Sequence, residues 1–232
     1  MQHLTGPRSP EAFWSVSYAD DRLADLLAEI ARPPLAGKTW ILVVSDHGFL
    51  PVRRTIQPNS VLRRLGLVEV SEGKVVRRSA WCISQGGSAA VYVLQKDRKE
   101  ETAARLEGAL AAVEGVEVAI PASRFAGLGQ PIPADDPRAP DLWLSARSGY
   151  AFGEAADAPL DVAEKDPPGG THGHLPDSPD LNALLVAWGP GIGPGTDLGT
   201  VDIRDIAPTV ARILGVELPG AEGRALEPVA GR

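Results

Sequence analysis

The first part of the chain repeats apolar residues at helical spacing, from Phe13 to Ile30. Ser9 can cap a helix that starts here, and Pro10 suits the first helical position because its missing N–H is not needed there. The break formed by Pro33 and Pro34 is expected to end the helix. We therefore predict one amphipathic helix over this stretch.

Three short apolar runs, at 39–44, 141–146 and 183–188, have the composition of buried strands. Such runs are typical of a parallel sheet that is covered by helices. A last helix is expected to begin near Asp205 and to stop at Gly215. The pattern predicts an α/β fold with a partial doubly wound, mostly parallel sheet and helices on both faces.

The middle of the chain, residues 51–140, has a different pattern. It predicts short strands at 67–70, 74–78, 89–94 and 115–120, with a helix at 99–113. We interpret 51–140 as an inserted α+β, cap-like subdomain. Residues 1–50 and 141–232 would then form a metal-binding α/β core that is incomplete at its N-terminus. Residues 153–179 are predicted to form a long loop.

Composition narrows the class of protein. The chain has 232 residues, 44% of them hydrophobic and 23% charged, which is typical of a soluble globular protein. A net charge of −7 disfavours nucleic-acid binding. No apolar run approaches the roughly 20 residues of a membrane span, and no signal-peptide core is present. As written the chain is expected to be cytoplasmic, although a longer N-terminus would leave localisation open.

A single cysteine, Cys82, excludes an internal disulfide framework and any zinc site built on several thiolates. A metal would therefore have to be bound by His, Asp and Glu.

Charge is unevenly distributed along the sequence. Residues 53–105 contain eleven Lys/Arg against five Asp/Glu, whereas residues 135–180 contain three against ten. Two interpretations of the basic stretch stay open: an ordinary solvated face, or a surface that binds an anionic ligand.

The four histidines are His3, His47, His172 and His174, and none falls inside a predicted helix or strand. His47 follows a predicted buried strand, beside Asp46, and polar groups at such a strand end are where α/β sheets place ligands. His172 and His174 belong to a Gly-rich segment. Taken singly, these residues also suit a capped turn or an exposed loop. Together they favour a metal site, because imidazole is the commonest neutral nitrogen ligand.

Several segments resemble motifs of the alkaline phosphatase superfamily, in its type I phosphodiesterase/nucleotide pyrophosphatase branch. Residues 43–49 (VVSDHGF) resemble the second-metal motif. Residues 170–173 (GTHG), followed by 184–191 (LLVAWGPG), are similar to the third motif. Residues 3–9 (HLTGPRS) resemble the tail of an Asp-x-x-Gly-His-x-x-Gly-Pro motif, and residues 205–209 (DIAPT) also recur near the end of such enzymes. The resemblance runs along the whole chain in order and is weakest from about 51 to 140.

The resemblance implies a two-metal phosphoric ester hydrolase with two divalent ions, usually zinc, and a small phosphate-ester substrate. It implies that Asp46 and His47 bind the metal that activates the nucleophile, and that His3 and His172 bind the metal that polarises the phosphoryl group. It gives His174 a contact with the substrate or with a ligand residue. A Thr or Ser nucleophile would form a covalent intermediate.

Two departures from the family pattern shape the expectation. The Asp four residues before His3 would lie ahead of residue 1, and Gln2 stands where the motif has Gly. No Thr or Ser of this chain matches the nucleophile. A partial sheet would also leave strand edges unpaired. We therefore expect a C-terminal portion of the enzyme, with the nucleophile on a missing N-terminal segment.

Two alternatives remain at this stage. The chain could be a catalytically inactive domain that binds a metal or an anion. It could also carry another chemistry of the superfamily, such as that of a sulfatase, a phosphonate hydrolase or a phosphoglycerate mutase. The substrate, the metal and the oligomeric state stay open.

Overall fold

The computed structural model describes residues 1–230 of the 232-residue chain. The α-helices are α1 (Gln2–Thr5), α2 (Pro10–Ile30), α3 (Pro58–Arg64), α4 (Lys99–Ala111), α5 (Ile206–Leu214) and α6 (Glu227–Ala230). The β-strands are β1 (Ile41–Val44), β2 (Leu50–Ile56), β3 (Val68–Ser71), β4 (Lys74–Arg78), β5 (Ala80–Ser84), β6 (Ser88–Val93), β7 (Val116–Pro121), β8 (Leu142–Ala146), β9 (Gly149–Phe152), β10 (Val162–Thr171) and β11 (Leu185–Trp188). Within these residues, no helix combines the length and the apolar character that crossing a membrane requires.

The chain divides into two compact units. The first contains Met1–Val16 and His47–Asn182, and the second contains Ser17–Asp46 and the chain from Ala183 onward. The division expected from the sequence, at 50/51 and 140/141, stays a prediction. The cap-like role of residues 51–140 stays a prediction.

The larger sheet of the first unit has the strand order β5-β6-β8-β7, and its neighbouring strands are antiparallel. Alternate residues of a strand share a face, so Leu142 and Leu144 of β8 point to the same side. Both are 1% exposed, and they join Leu106 and Leu110 of α4 in the core of this unit. Trp143 belongs to the opposite face of the sheet.

A second sheet of the first unit has the order β10-β2-β9. β2 pairs with β9 in parallel and with β10 in antiparallel orientation. The register of β10 shifts between Glu164 and Gly169, and the two prolines of this strand lie within that shift. Proline is tolerated there because a bulge leaves backbone N–H groups out of the ladder.

Ion pairs join the basic and acidic stretches of the sequence within the first unit. They are Arg54–Glu164, Arg64–Asp161 and Lys99–Asp141. The charge that is segregated along the chain is therefore partly neutralised in space. This arrangement favours the interpretation of the basic stretch as an ordinary solvated face over its interpretation as a surface that binds an anionic ligand.

The second unit contains the antiparallel pair of β1 and β11, with Ile41 opposite Trp188 and Val44 opposite Leu185. The Trp40 indole N–H donates to the carbonyl of Pro190 at 3.0 Å and secures one end of the pair.

The DIAPT segment of the second unit has a structural role. The side chains of Asp205 and Thr209 are buried, and each accepts a hydrogen bond from a backbone N–H of the following loop, at Arg224 and Leu226 respectively, both at 2.9 Å. α5 then ends at Gly215, whose φ of 67° is the left-handed conformation that favours glycine.

The α/β class is confirmed, and the pairing direction differs from the expectation. Among the described strands, β2 and β9 form the parallel pair, and the other pairings are antiparallel. The expected predominance of parallel strands is wrong for this part of the chain. The prediction that the runs at 39–44 and 183–188 are buried is also wrong, because Val44 of β1 and Val186 and Trp188 of β11 are exposed. An apolar run indicates a strand, whereas its burial and direction depend on the partners that the topology places beside it.

Most of the predicted elements are present, including α2, β1, α4, β8, β11 and α5. The prediction of a continuous loop over 153–179 is wrong, because β10 occupies much of it. Its prolines and glycines have the composition of a loop, and pairing with β2 overrides that preference. β2, β5 and α3 were not anticipated. His3 lies in the four-residue helix α1, which was not predicted from the sequence.

Candidate functional site

Two histidine-bearing segments meet at one end of the β10–β2 pair. β10 ends at Thr171, which lies opposite Leu50, the first residue of β2, in the antiparallel register. The chain just after β10 therefore lies beside the chain just ahead of β2. This register brings His172 next to His47, which are far apart in sequence.

The rings of three histidines are close together. The imidazoles of His47 and His172 stack with 3.7 Å between ring centroids and 17° between planes. The ring of His3 lies 5.2 Å from that of His172. Phe49 makes edge contacts with His3 and His172, at 4.8 and 5.4 Å between centroids. We call His3, His47 and His172 the histidine cluster.

His3 reaches the cluster because α1 packs closely on β10. A Cβ atom on Gly170 would lie 2.6 Å from the carbonyl oxygen of Gln2, and one on Gly169 would lie 2.6 Å from the carbonyl oxygen of His3. Real Cβ contacts are not that short, so the glycine pair is what lets the helix approach the strand. The glycines beside His172 therefore act by docking α1.

Backbone carbonyls orient two of the three rings. His47 Nδ1 lies 2.9 Å from the carbonyl oxygen of Gly48, and His3 Nδ1 lies 3.3 Å from that of Gly170. A carbonyl can only accept, so in each ring Nδ1 carries the proton. In a neutral imidazole with this tautomer, the lone pair is on Nε2, which is the arrangement of a histidine that binds a metal.

The donor chemistry of the cluster fits a divalent metal ion. Neutral imidazoles suit zinc and similar borderline ions. Among residues 1–230, however, no group of three or more His, Cys, Asp or Glu side chains has the geometry of a complete metal site. Asp46, which directly precedes His47 in the chain, has an exposed side chain and belongs to the second unit.

His174 has a different setting from the cluster. Its Nε2 donates to the carbonyl of Tyr150 at 3.0 Å, and its ring packs directly against Gly87, where a Cβ would lie 2.1 Å from Nδ1. Burial lowers the pKa of His174 below the ordinary value of histidine. These contacts tie His174 to β9 and to the turn between β5 and β6.

Phe49 and the docking role of the glycine pair are two features of the cluster that were not predicted from the sequence. The ring of Phe49 lies against all three imidazoles of the cluster, with centroid distances of 4.8 Å to His3 and 5.4 Å to His47 and His172. The sequence signal that could have identified Phe49 is its position directly after the Asp-His-Gly segment. The close approach of α1 had no local signal, because it depends on the pairing of distant segments.

A sequence model of the family described as type I phosphodiesterase / nucleotide pyrophosphatase matches residues 1–175 of the chain. The match contains all four histidines and Asp46. No curated protein sequence matches the chain at a significant level.

Solved structures share the fold. Human ectonucleotide pyrophosphatase/phosphodiesterase 5 is 17% identical, with a TM-score of 0.72 over 96% of this chain and 53% of that one. The murine protein of the same name is 17% identical, with a TM-score of 0.71 over 95% of this chain and 52% of that one. An inactive variant of the murine protein, in complex with AMP, gives the same values. The chain thus spans about half the length of these structures, and at this identity the likeness concerns the fold.

Proposed function

Because the chain belongs to the type I phosphodiesterase / nucleotide pyrophosphatase family, we propose that it is the metal-binding portion of a phosphoric ester hydrolase of that type. The observation that carries the proposal is the histidine cluster. Three imidazoles from three separate segments meet in one unit, and two of them have Nδ1 bound to a backbone carbonyl.

Two divalent metal ions, zinc being the best fit to the donors, would be held by these residues. Asp46 and His47 would bind one ion, and His3 and His172 would bind the other. Such ions would supply positive charge to the attacking and phosphoryl oxygens of an in-line displacement.

The protein's own contribution is to fix the ligands before the substrate arrives. The carbonyls of Gly48 and Gly170 hold the tautomer and orientation of two rings. Stacking of His47 on His172 keeps those two rings nearly parallel, so that their in-plane nitrogens lie in two neighbouring layers. Each of these two rings would then offer a nitrogen to a different ion, which is what a two-metal site requires.

We further propose that a Thr or Ser nucleophile, together with the Asp of the His3 motif, comes from polypeptide outside these 232 residues. The matched structures support this view, because about half of each lies outside the match. The substrate is proposed to be a small phosphate ester. The murine variant with AMP is a protein of this fold in complex with such a molecule.

Zinc titration of the full chain by calorimetry tests the proposal. We expect His172→Ala and Asp46→Ala each to weaken zinc binding by at least about tenfold, because each removes a ligand. His174→Asn is the matched control and should bind zinc like the unmodified chain. If Asp46→Ala and His172→Ala both left zinc affinity unchanged, the assignment would be wrong.

A further inference from the structure

A cavity of about 550 Å³ lies on the face of the β5-β6-β8-β7 sheet that is opposite the core. Trp143 lies opposite Ala90 of β6 and Ile120 of β7, so it occupies the middle of this face. Ser145, two residues along β8, points to the same side. The 3-10 turn at 122–128 contributes Gly127 to the wall.

The indole N–H of Trp143 is buried and has no hydrogen-bond partner among residues 1–230. A buried Trp N–H normally finds an acceptor, and leaving one unpaired costs free energy. The Nδ1 atom of His174, which lines the same cavity, is likewise buried without a partner in this part of the chain. Its Nε2 is the donor to Tyr150, so Nδ1 is an acceptor. Because His174 Nδ1 packs against Gly87, the unmatched group that the cavity wall offers to a ligand is the Trp143 indole N–H.

The segment that closes the cavity continues directly from the histidine cluster. The carbonyl of His172 accepts from the N–H of Gly87 at 2.7 Å, and the N–H of Leu175 donates to Ser145 Oγ at 3.3 Å. Gly173 between them has a φ of 88°, and a Cβ there would lie 2.7 Å from the carbonyl oxygen of Gln85. Residues 172–175 are thus fastened across the sheet. Two residues span at most about 7 Å, so His174 and the cavity lie close to His172.

The side chains that line the cavity within residues 1–230 include no Asp, Glu, Lys or Arg. Ile120, Leu128 and Trp143 give it an apolar body, and Gln85 and Gln130 add polar groups. Such a wall suits an uncharged group that carries hydrogen-bonding atoms, because a charged group would lose its hydration without gaining a counter-ion.

We propose that this cavity binds the uncharged organic group of the phosphate ester, with the Trp143 indole N–H donating to an oxygen or nitrogen acceptor on that group. Trp143 would then determine which alcohol portion is accepted, while the histidine cluster serves the phosphoryl group. The proposal rests on the proposed function and adds a specificity site to it.

The test uses the full chain with ¹⁵N-labelled tryptophan, whose five indole N–H signals are followed by NMR. The probes are adenosine, uridine and glycerol at millimolar concentration, all of them uncharged. At least one probe should shift the Trp143 signal, which is assigned as the one missing from Trp143→Phe. The affinity of the chain for that probe, measured by calorimetry, should fall about five- to tenfold in Trp143→Phe, because one hydrogen bond is lost. Trp81→Phe, in the same sheet but outside the cavity lining, should leave the affinity unchanged.

Gly127→Leu gives a second test that does not alter the core. The space around Gly127 is open, so a leucine there should fit the fold and fill the cavity, abolishing the shift. Gly108→Leu, on α4 and also in open space, is the matched control and should keep the shift. If no probe moved the Trp143 signal, or if Gly127→Leu left the shift intact, the proposal would be overturned.

Zinc-dependent binding of inorganic phosphate separates this proposal from the proposed function. If His172→Ala abolished phosphate binding while no probe reached Trp143, the cavity proposal would fail and the histidine site would stand. If a probe reached Trp143 while His172→Ala left zinc and phosphate binding unchanged, the histidine site would fail, and with it the link between the cavity and a phosphate ester.

Discussion

The two units of the chain differ in how they bury their apolar residues. In the first unit, Leu62 and Leu106 are fully buried in a continuous core. In the second unit, Leu184, Val186 and Trp188 are 50–55% exposed, although they lie on or beside the strand β11. An exposed apolar strand pair of this kind is a surface that other polypeptide normally covers. The first unit therefore buries its apolar side chains in its own core, whereas this face of β11 in the second unit is exposed.

A matched pair of leucine truncations should show the largest difference between the units. Leu106→Ala removes a fully buried side chain and should lower the free energy of unfolding by about 2–5 kcal/mol. Leu184→Ala removes a side chain that is 55% exposed and should change it by about 0.5 kcal/mol or less. Urea denaturation measures both values. Equal losses at the two positions would contradict the comparison.

The histidine cluster belongs to the first unit, and Gly170→Ala tests whether zinc binding depends on the packing of α1 against β10. The new Cβ would lie 2.6 Å from the carbonyl of Gln2, so α1 must shift and carry His3 away. We expect a loss of about 1–3 kcal/mol of stability, together with weaker zinc binding. The control Gly108→Ala places a Cβ in open space on α4 and should stabilise the chain by about 0.5–1 kcal/mol. Unchanged zinc affinity in Gly170→Ala would mean that His3 is not a ligand.

The smallest expected effect concerns an exposed pair in the second unit. Hydrogen bonds from Arg204 lower the pKa of Asp202 to about 2. Because this pKa is lowered by folding, the stabilisation is present above the ordinary Asp pKa of about 3.9 and is lost as the pH falls toward 2. Arg204→Gln should raise the pKa of Asp202 toward 3.9 in an NMR titration. Arg212→Gln, which removes the partner of Glu227 instead, should leave it unchanged.

Local signals were sufficient for the elements that depend on local chemistry. Ser9 accepts a hydrogen bond from the N–H of Ala12 at 3.0 Å and starts α2 as predicted, and Gly215 ends α5. β10 could not be found in this way, because its Pro-Gly composition is overridden by pairing with β2. The direction of the strands could not be predicted from the sequence either, because it depends on which strands the topology places side by side.

The candidate site was predicted from ordered motifs, and its geometry was not. His47 and His172 stack because Leu50 pairs with Thr171, a long-range register that no local pattern encodes. The pairing of charges could not be predicted from the sequence either. Lys99 of the basic stretch forms an ion pair with Asp141 of the acidic stretch, and only the fold brings these distant residues together.

The most direct test of the central claim is a ¹⁵N NMR spectrum of the four imidazoles in the full chain, recorded before and after addition of stoichiometric zinc. Coordination changes the shift of the ligating nitrogen, so each histidine reports its own role. We predict that the Nε2 signals of His3 and His47 and one ring-nitrogen signal of His172 move, and that His174 keeps its shifts. A spectrum in which the three cluster histidines stay unchanged, or in which His174 alone responds, would contradict it.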